Sequence, residues 1–250
     1  MKFLFIVWVS IFIWNIPSFA IDEERLTLHY NPINHISLSK LLWTYGVHDP
    51  KNNEILDHYL SINNCDLYRR YGKNDFQWER VRAGIRREID YYAKDYPNRF
   101  EIKAVVPLDR YDFEKSAFII DPEFALNNAG SIQIPIDVTE EYCAPREASI
   151  FFPWNVKFVA DNKFSLKEIP VPPSQARLIL ERIKKYKYTD LADKHAVSLK
   201  FEIVMNDVKY SYQAPSYGKS IFKGQLDAIT FYEDPNMTKP IWKKSFKSLN

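Results

Sequence analysis

Two carboxylates close together in the chain are the first residues whose spacing suits chemistry. Leu108-Asp109-Arg110-Tyr111-Asp112-Phe113-Glu114 places Asp109 and Asp112 in one acidic predicted turn. Such a pair divides into acid and base when one carboxyl is buried and the other solvated. Aspartates at turns also bond their own backbone, and this reading stands beside the first. The histidines, at 29, 35, 48, 58 and 195, form no His-Glu-x-x-His, and there is no Cys-x-x-Cys, so no metal set is expected. No Gly-x-Ser-x-Gly elbow occurs.

A second group is cationic: Arg69, Arg70, Lys73, Arg80, Arg82, Arg86 and Arg87. Asp75, Glu79, Glu88 and Asp90 are interleaved with them. Arg86 and Asp90 stand four apart, the spacing of an ion pair along one helix face. The cluster therefore reads as a solvated, ion-paired face, with docking of an acidic partner through Arg82 and Arg86 as the functional alternative. A third group is aromatic: Tyr210, Tyr212, Tyr217, Phe222, Tyr232 and Trp242. On a sheet, alternate members share a face. There they stack on sugar rings, anchor a protein partner, or simply pack across strands.

Composition removes several function classes. The 6 glycines lie at 46, 72, 84, 130, 218 and 224, no two of them two apart, so a Gly-x-Gly-x-x-Gly loop is impossible. The full Gly-x-x-x-x-Gly-Lys-Ser/Thr phosphate loop is also missing, because Gln213 stands where its first glycine would precede Gly218-Lys219-Ser220. No cofactor is expected. The formal charge is +2, which argues against a dedicated nucleic-acid binder.

The amino terminus directs the reading toward export. Lys2 precedes an apolar run from Phe3 to Trp14. Pro17 and the small residues Ser18 and Ala20 follow, and Asp22-Glu23-Glu24 come directly after. This is the pattern of a secretory signal peptide cleaved after Ala20. An uncleaved anchor is the alternative, because 3–21 carry no charge. With cleavage no transmembrane span is expected in the remaining 230 residues (250 − 20). Export implies an oxidising space, in which Cys65 and Cys143 are candidates for a disulfide.

The elements that must position these residues follow from periodicity. Residues 21–96 read as a helical segment, with helices predicted over His35 to Tyr45, Glu54 to Leu60, Asp66 to Tyr71 and Asp75 to about Lys94. In the last, Asn74 is a predicted cap, and Trp78, Val81, Ile85, Ile89 and Tyr92 form a predicted buried stripe. Residues 97–250 read as strand-rich. Strands are predicted from Phe100 to Leu108, Phe113 to Ile120, Ile132 to Val138, Ser149 to Ala160 around Pro153, and Val197 to Met205. Gln225 to Tyr232 and Lys239 to Phe246 complete a predicted hairpin. One helix, Ala176 to about Tyr188, interrupts them after Pro172-Pro173. The expected fold is α+β: an amino-terminal helical segment packed beside a largely antiparallel sheet with one further helix, as two units or one.

Several stretches carry a resemblance. They are Asn64-Cys65-Asp66-Leu67-Tyr68, Phe76-Gln77-Trp78-Glu79, Arg99-Phe100-Glu101, Tyr111-Asp112-Phe113-Glu114-Lys115-Ser116-Ala117-Phe118 and Leu166-Lys167-Glu168-Ile169-Pro170-Val171-Pro172-Pro173. Through them the chain resembles an exported bacterial family of unknown function. The resemblance implies a cell envelope and transfers no functional residue. The expectation is a periplasmic or secreted, non-enzymatic binding or interaction module. Its partner would be an envelope protein or glycan, and Tyr210, Tyr212, Tyr217, Trp242, Arg82 and Arg86 are its candidate contacts. The alternative is an envelope glycan hydrolase working through Asp109 and Asp112.

Overall fold

The computed structural model describes residues 29–124, 126–136, 143, 148–152, 154–186, 195–211 and 219–246. The proposed signal peptide, Tyr212 and Tyr217 lie outside them.

Four helices come first. α1 (His35–Thr44) is capped by Asn34, whose side chain accepts from Ser37 N, with the Ser37 hydroxyl reciprocating. α2 (Asn53–Asn63) is capped by Asn52, α3 (Cys65–Tyr71) by Asn64 and α4 (Asp75–Tyr92) by Asn74. Each asparagine satisfies amides that a helix start leaves without partners. The last turn of the run tightens to a 3-10 turn at Ala93–Asp95.

The remaining chain is mostly strand. β1 (Asn31–Pro32) precedes the helices. After them come β2 (Arg99–Asp112), β3 (Ala117–Ile120) and β4 (Leu126–Pro135), then the single-turn helix α5 (Ala148–Phe151). β5 (Asn155–Leu166), β6 (Glu168–Pro170), α6 (Pro173–Ile183), β7 (His195–Ser211), β8 (Lys219–Tyr232) and β9 (Pro240–Ser245) complete the order. The strands form one sheet in the order β4-β5-β8-β7-β2-β3-β6. Two strands are long enough to share an edge between two partners. β2 pairs with β1 at Phe100–Glu101 and with β3 from Leu108 onward. β8 pairs with β5 over 219–224 and with β9 over 228–232. Pairing is antiparallel except for β1–β2 and β5–β8. The fold is α+β.

One hydrophobic cluster unites the helical segment with the sheet: Leu38, Leu41 and Leu42 of α1, Leu56 and Tyr59 of α2, Phe100 and Ile102 of β2, Leu199, Phe201 and Ile203 of β7 and Phe231 of β8. The alternate residues Glu101, Lys103, Lys200 and Glu202 leave the core and form a ladder of ion pairs, ending in Lys243–Glu202 at 3.3 Å. Among the described residues no helix is long and apolar enough to cross a membrane.

Three local expectations change. The turn predicted at Asp109–Asp112 is strand, and the chain reverses at 113–116 instead. A bulge between Leu108 and Tyr111 keeps β2 in register with β3, because the Tyr111 ring packs on Phe118 at 5.1 Å and its hydroxyl donates to Val171 O at 2.7 Å. The strand predicted from Ser149 begins only at Asn155, after α5. Tyr92 is half exposed, its ring edge-on to Tyr91 rather than in the core stripe.

Candidate functional site

Of the paired carboxylates, Asp109 is exposed in the β2 bulge. Asp112 accepts from the amides of Glu114 and Lys115, at 2.9 and 3.1 Å, which builds the turn after it. Neither is buried, so the contrast that separates a general acid from a general base is not built here.

The aromatic candidates are placed far apart. Tyr210 lies at the end of β7, opposite Ser220, with its hydroxyl bonded to Ile150 O and its ring 5.5 Å from His48. Trp242 lies on β9 opposite Phe231 and packs on it at 5.9 Å. Ser220 and Phe231 are eleven residues apart on β8, on the order of 35 Å along a strand. Phe222 and Tyr232 are buried.

The cationic group divides by helix face. Arg82 donates its Nε to Asp57 Oδ1 at 2.7 Å and a terminal nitrogen to Asp57 Oδ2. The Trp78 indole donates to the same Oδ1 at 2.9 Å, so the Asp57 carboxylate ties α2 to α4. Glu79 bridges Arg82 and Arg86 at 3.2 and 3.0 Å. The hydrogen bonds from Arg86 and Arg82 hold its carboxyl below the usual range. Arg86 also reaches Pro50 O and Asn53, and its ion-pair partner is Glu79 rather than Asp90. Arg82 and Arg86 are thus engaged within the chain.

The opposite side of α4 differs. At 100° per residue, Phe76, Arg80, Ala83, Arg87 and Tyr91 fall within a narrow stripe pointing away from Trp78 and Ile89. All five are exposed, Phe76 to 88% and Tyr91 to 74%. Among the described residues neither Arg80 nor Arg87 is in an ion pair; the Arg87 Nε makes a local bond to Ala83 O at 3.3 Å. The stripe runs about 22 Å along the helix. Burying a Phe side chain is worth roughly 2 kcal/mol. The signal was in the sequence: projecting 75–92 on a helix separates Arg80 and Arg87 from Arg82 and Arg86.

A third feature is internal. Histidines from the α1 region hold the segment around α5, and beside them lies a void lined by His35, Leu38, Ser39, Leu42, Phe152, Val156, Ser220 and Phe222, with room for about one water. At the sheet end Asp227, buried, accepts from Tyr30 and from Arg99 at 3.0 Å. Cys65, at the start of α3, is disulfide-bonded to Cys143, with Cα atoms 5.2 Å apart. Among the described residues no three His, Cys, Asp or Glu side chains converge as a metal ligand set.

No curated protein and no solved structure matches the chain. A family model does, over residues 51–182, which is 132 of the 250 residues and takes in α2 to α5, β2 to β6 and most of α6. The chain therefore belongs to the family described as Domain of unknown function (DUF4852).

Proposed function

We propose that this protein is an exported, non-enzymatic binding module that docks on an anionic partner of the cell envelope through the solvent face of α4. The observation that carries this reading is the stripe itself: Arg80 and Arg87, in no ion pair among the described residues, set between the open rings of Phe76 and Tyr91. Arginine and aromatic side chains are the residues that anchor interfaces, the ring burying area and the cation fixing orientation. The other two arginines of α4, Arg82 and Arg86, are spent on Asp57 and Glu79, which leaves the positive charge of the helix on this face.

The test is retention on immobilised dextran sulfate at low salt, where surface electrostatics are least screened. Arg80→Ala/Arg87→Ala is expected to weaken binding at least tenfold, and Phe76→Ala/Tyr91→Ala to weaken it further. Lys243→Ala, on β9 and paired with Glu202, is expected to bind as the parent does. Equal retention of all of these proteins would remove the assignment. Export rests on the apolar leader and is tested separately: mature protein recovered from its native cells is expected to begin at Ile21, and material beginning at Met1 in the cytosol would refute it.

A further inference from the structure

α5 is one turn long, and its end is a problem of unpaired carbonyls. Phe152 N bonds Ala148 O at 2.8 Å, which leaves the carbonyls of Ile150, Phe151 and Phe152 without helical partners, and Pro153 has no N–H to offer. Three side chains from distant elements take them in succession. The Tyr210 hydroxyl, from the end of β7, donates to Ile150 O. His48 Nε2, from the α1–α2 connection, donates to Phe151 O at 2.9 Å. His35 Nε2, from the first turn of α1, donates to Phe152 O at 2.7 Å. A carbonyl only accepts, so both imidazoles carry their proton on Nε2.

We propose that His35 and His48 make the segment around α5 an acid-releasable latch: closed while both rings are neutral, and freed when they take a second proton. The rings sit where a cation is poorly received. His35 and His48 are 1% and 8% exposed. The neighbours of His48 are the rings of Trp43, Phe151, Phe152 and Tyr210. Among the described residues no carboxylate lines the void beside His35, which also occupies the amino-terminal turn of α1, where the helix dipole opposes positive charge. Among the described residues, the other ionisable groups of the surrounding elements are exposed, engaged elsewhere or uncharged. From α2 these are Glu54, exposed, Asp57, bound to Arg82, His58, stacked on Phe151 at 5.3 Å, and Tyr59, against Phe152. Asp207 and Lys209 on β7 and Lys219 on β8 are exposed. Asp49, beside His48 in sequence, is exposed and accepts from Lys51 N.

Burial lowers the pKa of both histidines from 6.5, partly offset by their carbonyl bonds. The closed state therefore binds fewer protons than the open state, and closure weakens as pH falls below 6.5 toward the depressed value. Below that value both states are protonated and the effect levels off. Between pH 7.5 and 5.5 the opening equilibrium shifts by about tenfold for each histidine that stays neutral when closed, and so by up to about a hundredfold for the pair. Opening would uncover Phe151 and Phe152, the latter 1% exposed in the closed state.

Amide hydrogen exchange at the two pH values, corrected for intrinsic rates, tests this on the full chain. The expected result is a rise in the opening of the Phe152 amide of more than tenfold at pH 5.5, while amides of the β7–β8 ladder keep their protection. His35→Gln/His48→Gln, whose amide nitrogens replace Nε2 as donors without titrating, is expected to lose the pH dependence. Unchanged opening at Phe152 in the parent protein, or a parallel loss of protection in β7 and β8, would overturn the latch, and the parent measurement decides this even should the double variant not fold.

Discussion

Gly224→Ala is expected to destabilise the fold by at least about 3 kcal/mol, the upper end of what overpacking costs. Gly224 lies inside β8, paired with Met205 of β7 on one side and Ala160 of β5 on the other. A Cβ there would stand 1.8 Å from Val204 O and 3.0 Å from the Met205 Cα. Both are backbone atoms of the partner strand, so no rotamer change relieves the overlap. β7 carries a register shift between Met205 and Asp207 at this point, and a glycine is where a bulged strand comes closest to its neighbour. The β7 and β8 strands would have to part at the middle of the sheet. Urea denaturation measures the cost. Gly130→Ala on β4, where a Cβ meets nothing within 4 Å, is the control, expected to stay within about 0.5 kcal/mol. If the two variants unfold at the same urea concentration, the close approach does not govern stability.

Reduction of the Cys65–Cys143 bridge is expected to have an effect of comparable size, about 4 kcal/mol in the chain-entropy account, because the two residues are 78 positions apart. The bridge joins the start of α3 to a residue five positions ahead of α5, so it confines the same region that His35 and His48 hold by hydrogen bonds. Urea midpoints with and without dithiothreitol give the cost, and Cys65→Ser/Cys143→Ser is expected to match the reduced protein. Two titratable thiols in natively produced, unreduced material would contradict the bridge. They would also weigh against export, since such bridges persist in oxidising compartments.

Helices and strands with a strong local period were legible in the residues alone. α4 begins where Asn74 predicts it, with Asn74 Oδ1 accepting from Gln77 N at 3.1 Å, and the 197–205 alternation is the buried face of β7. The β8–β9 hairpin turns where expected, with Asp234 accepting from the amides of Thr238 and Lys239. These features are set within one or two turns of chain, where spacing and capping act directly. The β2–β3 turn was not legible, because the bulge that moves it depends on Tyr111 meeting Phe118 and Val171. α5 was not legible either: its carbonyls are satisfied by Tyr210, His48 and His35, between 60 and 117 residues away.

The α+β class, the Asn74 cap, the alternation of the central strands and the lack of nucleotide loops follow from the order of residues alone. Helical projection separates Arg80 and Arg87 from Arg82 and Arg86, but packing alone settles which pair is spent: Asp57, 25 residues before Arg82, draws Arg82 and Trp78 inward. The physical reason is the same for the stripe, the latch and Gly224. Each depends on which surfaces meet when the core closes, and burial, carbonyl satisfaction and backbone approach are properties of that meeting rather than of any one segment.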